Sequence, residues 1–93
     1  MDALVTVTED EAHVVLAMDD GKRNAVSFAM AEALNAALDQ AESLAKPVLL
    51  TGRPGTFSAG FDLKVMMQQD ENMVKLVRAG ADLAGRILRF PQP

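Results

Sequence analysis

The 93-residue chain contains no cysteine and only one histidine, and these shortages exclude several kinds of chemistry. Without cysteine there is no disulfide and no thiol nucleophile, and the composition fits a reducing compartment such as the cytoplasm. His13 lies near the start of a predicted strand, with no serine or second histidine close to it in sequence. We therefore interpret His13 as a surface residue rather than a catalytic base, and we expect no metal site.

Long apolar runs and clustered basic residues are also missing. No apolar segment approaches the roughly 20 residues of a membrane span, and Met1–Leu4 lacks the basic start of a signal peptide. The formal net charge is −4, whereas a nucleic-acid surface would require clustered lysine and arginine. The sequence therefore predicts one small cytoplasmic unit without a membrane or nucleic-acid partner.

The order of the predicted elements indicates an α/β fold. Leu4 to Thr8 and His13 to Met18 alternate as half-buried strands do, and the short polar break between them predicts a hairpin. Ser27 is a good N-cap for an amphipathic helix of about 18 residues, which ends before Pro47. The apolar run Val48 to Leu50 then predicts a buried strand. This βαβ order predicts that the second and third strands are parallel, with a right-handed crossover.

Two further helices are predicted after the third strand. A short helix covers Leu63 to Gln69, Gln68 to Asn72 forms a polar interruption, and a longer helix covers Met73 to Phe90. The longer helix is apolar around much of its circumference, so we expect it to pack against partners on more than one side.

Between the third strand and the short helix lies a glycine-rich turn, an arrangement that presents backbone N–H groups to a ligand in α/β proteins. The glycine spacing does not fit the GxGxxG motif of dinucleotide-binding proteins. Gly55 and Gly60 have the spacing of a phosphate-binding loop, but Phe61 and Asp62 follow where that motif requires lysine and serine or threonine. The turn therefore does not predict nucleotide triphosphate binding.

Two segments resemble the signatures of the crotonase (enoyl-CoA hydratase/isomerase) superfamily. They are Phe57–Leu63 (FSAGFDL) and Lys22–Ser27 (KRNAVS), which occur in the family's order. The resemblance covers essentially the whole chain but only the N-terminal part of a family member. It implies that residues 1–93 form a single incomplete region of the ClpP/crotonase fold. That region would comprise the hairpin and the βαβ unit and would be truncated before the second oxyanion loop.

The resemblance also implies an oxyanion site. Crotonase-like enzymes bind an acyl-CoA thioester and stabilise an enolate at its carbonyl oxygen with two backbone N–H groups. The motif assigns the first donor to the N–H of Phe61, and the second donor to a loop beyond Pro93. The other positions that the resemblance places beside the ligand are Ala25, Ala59, Gly60, Asp62 and Leu63. The Phe61 side chain is bulkier than the alanine common in hydratases, so its ring is expected to narrow or redirect the acyl pocket.

Three charged residues in these motifs have alternative interpretations. The sequence alone favours a solvated turn for Lys22 and Arg23, whereas the family resemblance assigns them to the phosphates of coenzyme A. The acidic pair before them, Asp19 and Asp20, weakens the local positive field. We interpret Asp62 as a carboxylate that fixes the loop at a helix N-terminus rather than as a general base.

Two functional hypotheses follow. In the first, the chain is the N-terminal part of an acyl-CoA enzyme of the enoyl-CoA hydratase/isomerase type, a homotrimer or hexamer when complete. Coenzyme A would enter as part of the substrate, with no other cofactor. The adjacent acidic pairs, Asp19–Asp20 and Asp70–Glu71, are interpreted as solvated, so the 93 residues alone are expected to be inactive. In the second hypothesis, the chain is a non-catalytic module that binds acyl-CoA or assembles with another chain.

Overall fold

Strands β1 (Val5–Glu9) and β2 (Val14–Met18) form the predicted antiparallel hairpin in a computed structural model. The structure describes residues 4–58 and 60–91, with the exception of the Lys64 side chain. Val14, Leu16 and Met18 are buried, because alternate side chains of β2 point into the core.

The hairpin turn is closed by the carboxylate of Asp10. Its Oδ1 atom accepts hydrogen bonds from the N–H groups of His13 at 2.7 Å and Ala12 at 2.8 Å. These two hydrogen bonds hold the pKa of Asp10 below its ordinary value.

Helix α1 (Phe28–Leu44) begins where the sequence predicts it. Ser27 is the N-cap, and its hydroxyl accepts the N–H of Met30 at 3.0 Å. The residues of α1 that face the sheet are buried, and they are Met30, Ala31, Leu34, Ala37, Leu38 and Ala41. All of these except Ala31 form the hydrophobic core together with the inward side chains of β2 and with Leu83.

Strand β4 (Val48–Thr51) pairs in parallel with β2, which gives a three-stranded sheet with the order β1-β2-β4. The predicted βαβ pairing is therefore confirmed. The expectation that this strand is buried is wrong for Leu49, which is 51% exposed, whereas Val48 and Leu50 pack against the core. Among the described residues, α1 covers one face of the sheet, and Leu49 points to the other.

A second, very small sheet was not predicted. Strands β3 (Ala25–Val26) and β5 (Gly60–Phe61) pair in parallel, with Ala25 opposite Gly60 and Val26 opposite Phe61. This pairing joins the loop after β2 to the glycine-rich segment after β4. Strands of two residues have no detectable periodicity, so the sequence pattern could not indicate them.

Helices α2 (Leu63–Gln68) and α3 (Glu71–Leu88) follow. The longer helix begins at Glu71 rather than Met73, because the Asp70 side chain accepts the N–H of Asn72 at 2.9 Å and caps it. Arg86 ties α3 to α1 through hydrogen bonds to the main chain and side chain of Asn35, at 3.1 and 3.0 Å. No helix in the described part of the chain has the length and hydrophobicity that crossing a bilayer requires.

Candidate functional site

The loop after β2 carries Lys22 and Arg23, and its shape depends on Asp20. The Asp20 carboxylate accepts hydrogen bonds from the N–H groups of Lys22 at 2.7 Å and Asn24 at 3.0 Å. Partial burial by itself would raise the pKa of Asp20. The N–H donors and the charge of Arg53 outweigh that effect, so the pKa lies below its ordinary value. Asp20 is therefore engaged in building the turn on which the two basic side chains stand.

Arg53, in the glycine-rich turn, is a residue that the sequence analysis missed. Its guanidinium donates to the carbonyl oxygen of Lys22, and its Nε atom lies 3.5 Å from a carboxylate oxygen of Asp19. Arg53 thus connects two loops and adds a third positive charge beside Lys22 and Arg23. The contact joins residues far apart in sequence, so no local pattern indicates it.

Asn24 is the buried centre of this region. Its side chain is fully buried, and its backbone has φ of 53°, in the left-handed region that asparagine tolerates. The side-chain N–H groups donate to the carbonyl oxygens of Met18 and Phe57, each at 3.0 Å. The side-chain oxygen accepts the N–H of Asp20 at 3.0 Å. Asn24 therefore ties the end of β2, the basic loop and the glycine-rich segment together.

Ser58 continues this network towards β5. Its hydroxyl donates to the carbonyl oxygen of Asn24 at 2.8 Å and accepts the N–H of Gly60 at 3.1 Å. Gly60 has φ of 92°, a conformation that residues with a Cβ rarely adopt. Ala59, a predicted site residue, lies outside the described residues.

Five of the predicted site residues line one shallow cleft. Together with Asp20 they are Lys22, Arg23, Ala25, Phe61 and Leu63. The side chains of Lys22 and Arg23 are exposed to solvent on this side of the molecule. The cleft therefore has a basic, solvent-facing half, and Phe61 also contributes to its wall.

Gly60 and Asp62 form the backbone next to this cleft. Gly60 pairs with Ala25, and the N–H of Asp62 donates to the carbonyl oxygen of Val26 at 2.9 Å. The carbonyl oxygen of Asp62 accepts the N–H of Met66 at 3.0 Å and so begins α2. Asp62 thus stands at the N-terminus of a helix, the position from which the sequence analysis expected it to fix the loop.

Phe61 also borders an apolar pocket. Phe61 contributes to its wall together with Leu83, Ala84 and Ile87 of α3. Gly80 of α3 receives the Phe61 ring, because a Cβ built at Gly80 would lie 2.5 Å from Cε1 and 2.8 Å from Cζ. Phe61 therefore lines both the basic cleft and the apolar pocket.

His13 lies at the other end of β2 from this cleft. Its Nε2 atom is 3.2 Å from a carboxylate oxygen of Asp10, and its side chain is 38% exposed. The placement agrees with its interpretation as a surface residue. Within residues 4–58 and 60–91, no three histidine, cysteine, aspartate or glutamate side chains group in a way that could hold a metal ion.

Comparison with known proteins places the whole arrangement in one family. A family model described as enoyl-CoA hydratase/isomerase matches residues 8–93. The chain is 31% identical over 93 residues to a probable enoyl-CoA hydratase of Bacillus subtilis, a match that covers 96% of the chain and 36% of that protein.

Solved structures show the same likeness. An enoyl-CoA hydratase/isomerase family protein from Pseudomonas syringae matches with a TM-score of 0.93 and 44% identity, over 97% of this chain and 39% of that one. The apo structure of a Mycobacterium tuberculosis enoyl-CoA isomerase gives a TM-score of 0.93 and 39% identity, over 100% of this chain and 41% of that one. The described elements thus correspond to part of the crotonase fold, and the chain belongs to the enoyl-CoA hydratase/isomerase family.

Proposed function

We propose that this chain forms the coenzyme A-binding and first oxyanion-binding part of an enzyme that acts on 2-enoyl-CoA thioesters, with hydration as the reaction. The observation that carries the proposal is that Phe61 lines both a basic cleft and an apolar pocket. An acyl-CoA has phosphates at one end and a hydrocarbon chain at the other, with the thioester between them. A ligand that extended across this site would hold its thioester beside the main chain of Phe61.

The proposed oxyanion donor is the N–H of Phe61. In an extended strand, successive N–H groups point to opposite edges. Because the Asp62 N–H donates to Val26 of β3, the N–H of Phe61 is directed to the edge away from β3. A donor held by a paired strand and aimed at the carbonyl oxygen stabilises the charge that develops there as the enolate forms.

The basic half of the cleft would hold the phosphates of coenzyme A. Lys22 and Arg23 are exposed, and Arg53 supports their loop through the carbonyl oxygen of Lys22. Charge-assisted hydrogen bonds to phosphate are stronger than neutral ones, although solvent exposure reduces their contribution. We therefore assign these two side chains to ligand affinity rather than to the chemical step.

The relatives support both family reactions. The Bacillus subtilis protein is named a probable hydratase, and the Mycobacterium tuberculosis protein is named an isomerase in one solved structure and a probable hydratase in another. Because the chain spans about two fifths or less of either relative, the activity, substrate and oligomeric state of the whole protein belong to this proposal. We propose a trimer or hexamer in the cytoplasm, as for family members, without a cofactor other than the coenzyme A of the substrate.

The double variant Lys22→Ala/Arg23→Ala in the full-length protein is expected to weaken coenzyme A binding about 10-fold at low salt, and less at high salt. Two partly exposed charged contacts of about 0.7 kcal/mol each give this magnitude. Titration calorimetry with coenzyme A measures the effect. Lys75→Ala/Arg78→Ala removes the same charge from exposed positions on α3, and it is expected to leave the affinity unchanged. Equal affinities of the two double variants for coenzyme A would show that Lys22 and Arg23 belong to a solvated turn and do not bind the ligand.

The variant Gly80→Ala is expected to change which acyl chains are accepted. A methyl group at this position displaces the Phe61 ring, which must move into the cleft or the apolar pocket. We expect the ratio of kcat/KM for long-chain to short-chain 2-enoyl-CoA to fall about 10-fold, within the range for steric discrimination by small apolar groups.

Two further variants serve as controls for Gly80→Ala. Gly85→Ala is the same substitution on the same helix, but the nearest neighbour of its new methyl group is the movable guanidinium of Arg89, at 3.0 Å. Its chain-length profile should match the parent's. Gly80→Ala/Phe61→Ala removes the displaced ring and should recover activity on long chains. An unchanged profile for Gly80→Ala would show that Phe61 does not shape the acyl pocket.

In the alternative hypothesis, the chain is part of a non-catalytic module that binds acyl-CoA in the same cleft but does not turn it over. Large apolar side chains are exposed on the helices, among them Leu63 at 69%, Met67 at 72% and Leu88 at 87%, and such surfaces favour assembly with another chain. Coenzyme A binding by the full-length protein without turnover of any 2-enoyl-CoA would favour this alternative.

A further inference from the structure

We propose that Asn24 and Ser58 are positioning residues that set the orientation of the Phe61 N–H relative to the basic cleft. The proposal rests on the function proposed above and extends it to two residues outside the basic cleft, of which Ser58 also lines the apolar pocket. Their hydrogen bonds form a continuous path from the end of β2 to Gly60, the residue immediately before Phe61.

The path begins with the buried amide of Asn24. One of its acceptors is the carbonyl oxygen of Met18 at the end of β2, and the other is the carbonyl oxygen of Phe57 in the glycine-rich segment, each at 3.0 Å. Asn24 itself belongs to the loop that carries Lys22 and Arg23. One side chain thus fixes the glycine-rich segment and the basic loop to the same point of the main sheet.

The path ends on the main chain of β5. The Ser58 hydroxyl donates to the carbonyl oxygen of Asn24 at 2.8 Å and accepts the Gly60 N–H at 3.1 Å. The pairing of β3 with β5 involves only two residues of each strand, so few main-chain hydrogen bonds determine the direction of the Phe61 N–H. A hydroxyl group on the Gly60 N–H adds a constraint within one residue of the proposed donor.

Residue type supports this role for Asn24. At φ of 53° the position favours glycine, asparagine and aspartate. Glycine would lose both carbonyl contacts, and aspartate would place a carboxylate oxygen against carbonyl oxygens that require donors. Of the three, only asparagine provides the backbone conformation, two donors and the acceptor for Asp20 together.

The most discriminating test is Ser58→Ala in the full-length protein. Loss of the hydroxyl is expected to lower kcat for a short-chain 2-enoyl-CoA about 10-fold, with KM changed less than about 2-fold. Small misplacements of a reacting group reduce the chemical step more than they reduce binding. Ser58→Thr keeps the hydroxyl and should retain most of the parental kcat. Asn24→Asp, which keeps the side-chain oxygen but loses both donors, should resemble Ser58→Ala.

Asn35→Ala is the matched control for a purely structural effect. It removes a side-chain hydrogen bond of similar length, from Arg86 at 3.0 Å, between α1 and α3 and away from the cleft. We expect this variant to lower the melting temperature and to leave kcat at the parental value. If folded Ser58→Ala and Asn24→Asp kept the parental kcat, as Asn35→Ala is expected to do, the positioning role would be wrong. The proposed function would still stand in that case, because the parent protein would turn over 2-enoyl-CoA.

Amide hydrogen exchange decides the same question without substrate. In Ser58→Ala, the Gly60 N–H, which loses its acceptor, and the Asp62 N–H, which donates to Val26, should exchange at least about 10-fold faster than in the parent, while the N–H groups of β1 and β2 should not change. Unchanged exchange at Gly60 and Asp62 would overturn the proposal even if the protein showed no turnover. Absence of turnover in the parent would overturn only the proposed reaction.

Discussion

Replacing Phe61 with proline is expected to lower kcat for a 2-enoyl-CoA about 100-fold, the cost of one lost oxyanion donor. Proline has no N–H, so the variant removes the donor itself. The main-chain hydrogen bond from Asp62 to Val26 uses a different N–H group and can persist. Steady-state kinetics on the full-length protein measures the effect, after circular dichroism has shown that the variant is folded.

The variant Phe61→Ala is the matched control, because it keeps the N–H and removes only the ring. Since that ring packs against Gly80 beside the apolar pocket, this variant should retain turnover and mainly alter the acyl chains accepted. If a folded Phe61→Pro variant turned over substrate as fast as the parent, the assignment of the Phe61 N–H as an oxyanion donor would be wrong.

The substitution Gly52→Ala is expected to lower the free energy of unfolding by about 3 kcal/mol, at the upper end for overpacking. A Cβ at this position would lie 2.4 Å from the Cα of Phe57 and 2.5 Å from the carbonyl oxygen of Thr56. Both atoms belong to the main chain, so the turn itself must shift. The carbonyl oxygen of Phe57 is the acceptor for Asn24, so the movement would also strain that hydrogen bond. Urea denaturation measures the change.

Gly80→Ala provides the comparison for Gly52→Ala. The new methyl group meets a neighbour at a similar distance, 2.5 Å, but that neighbour is the Phe61 ring, which can rotate. A helical glycine also gains up to about 1 kcal/mol when it becomes alanine. Gly80→Ala should therefore lower the stability much less than Gly52→Ala. Equal losses for the two variants would contradict the distinction between a rigid and a movable neighbour.

Hydrophobic periodicity predicted the larger elements correctly because each has a local signal. Alternation gave the hairpin, and the Ser27 cap with apolar spacing gave α1. The short strands β3 and β5 have no such signal, since each contains two residues. The boundary of α3 was missed because Asp70 lies within a polar run that is equally typical of a loop.

The candidate site was predicted from the two motifs Lys22–Ser27 and Phe57–Leu63. In the structure, residues of both motifs line the same cleft. Spacing alone could not indicate that Asn24 is buried between Met18 and Phe57, because the second of these contacts spans 33 positions. The same limit applies to Gly80. A glycine inside a helix suggests a close approach, but the sequence does not say that the Phe61 ring occupies the space.

The most direct test of the account is a crystal structure of the full-length protein with a saturated acyl-CoA, which has the thioester but cannot be hydrated. We expect the thioester oxygen to lie about 2.7–3.1 Å from the main-chain nitrogen of Phe61, the range for an oxyanion donor. The phosphates should lie against Lys22 and Arg23, with the acyl chain beside the Phe61 ring and Gly80. A thioester oxygen bound away from the Phe61 nitrogen would contradict the account.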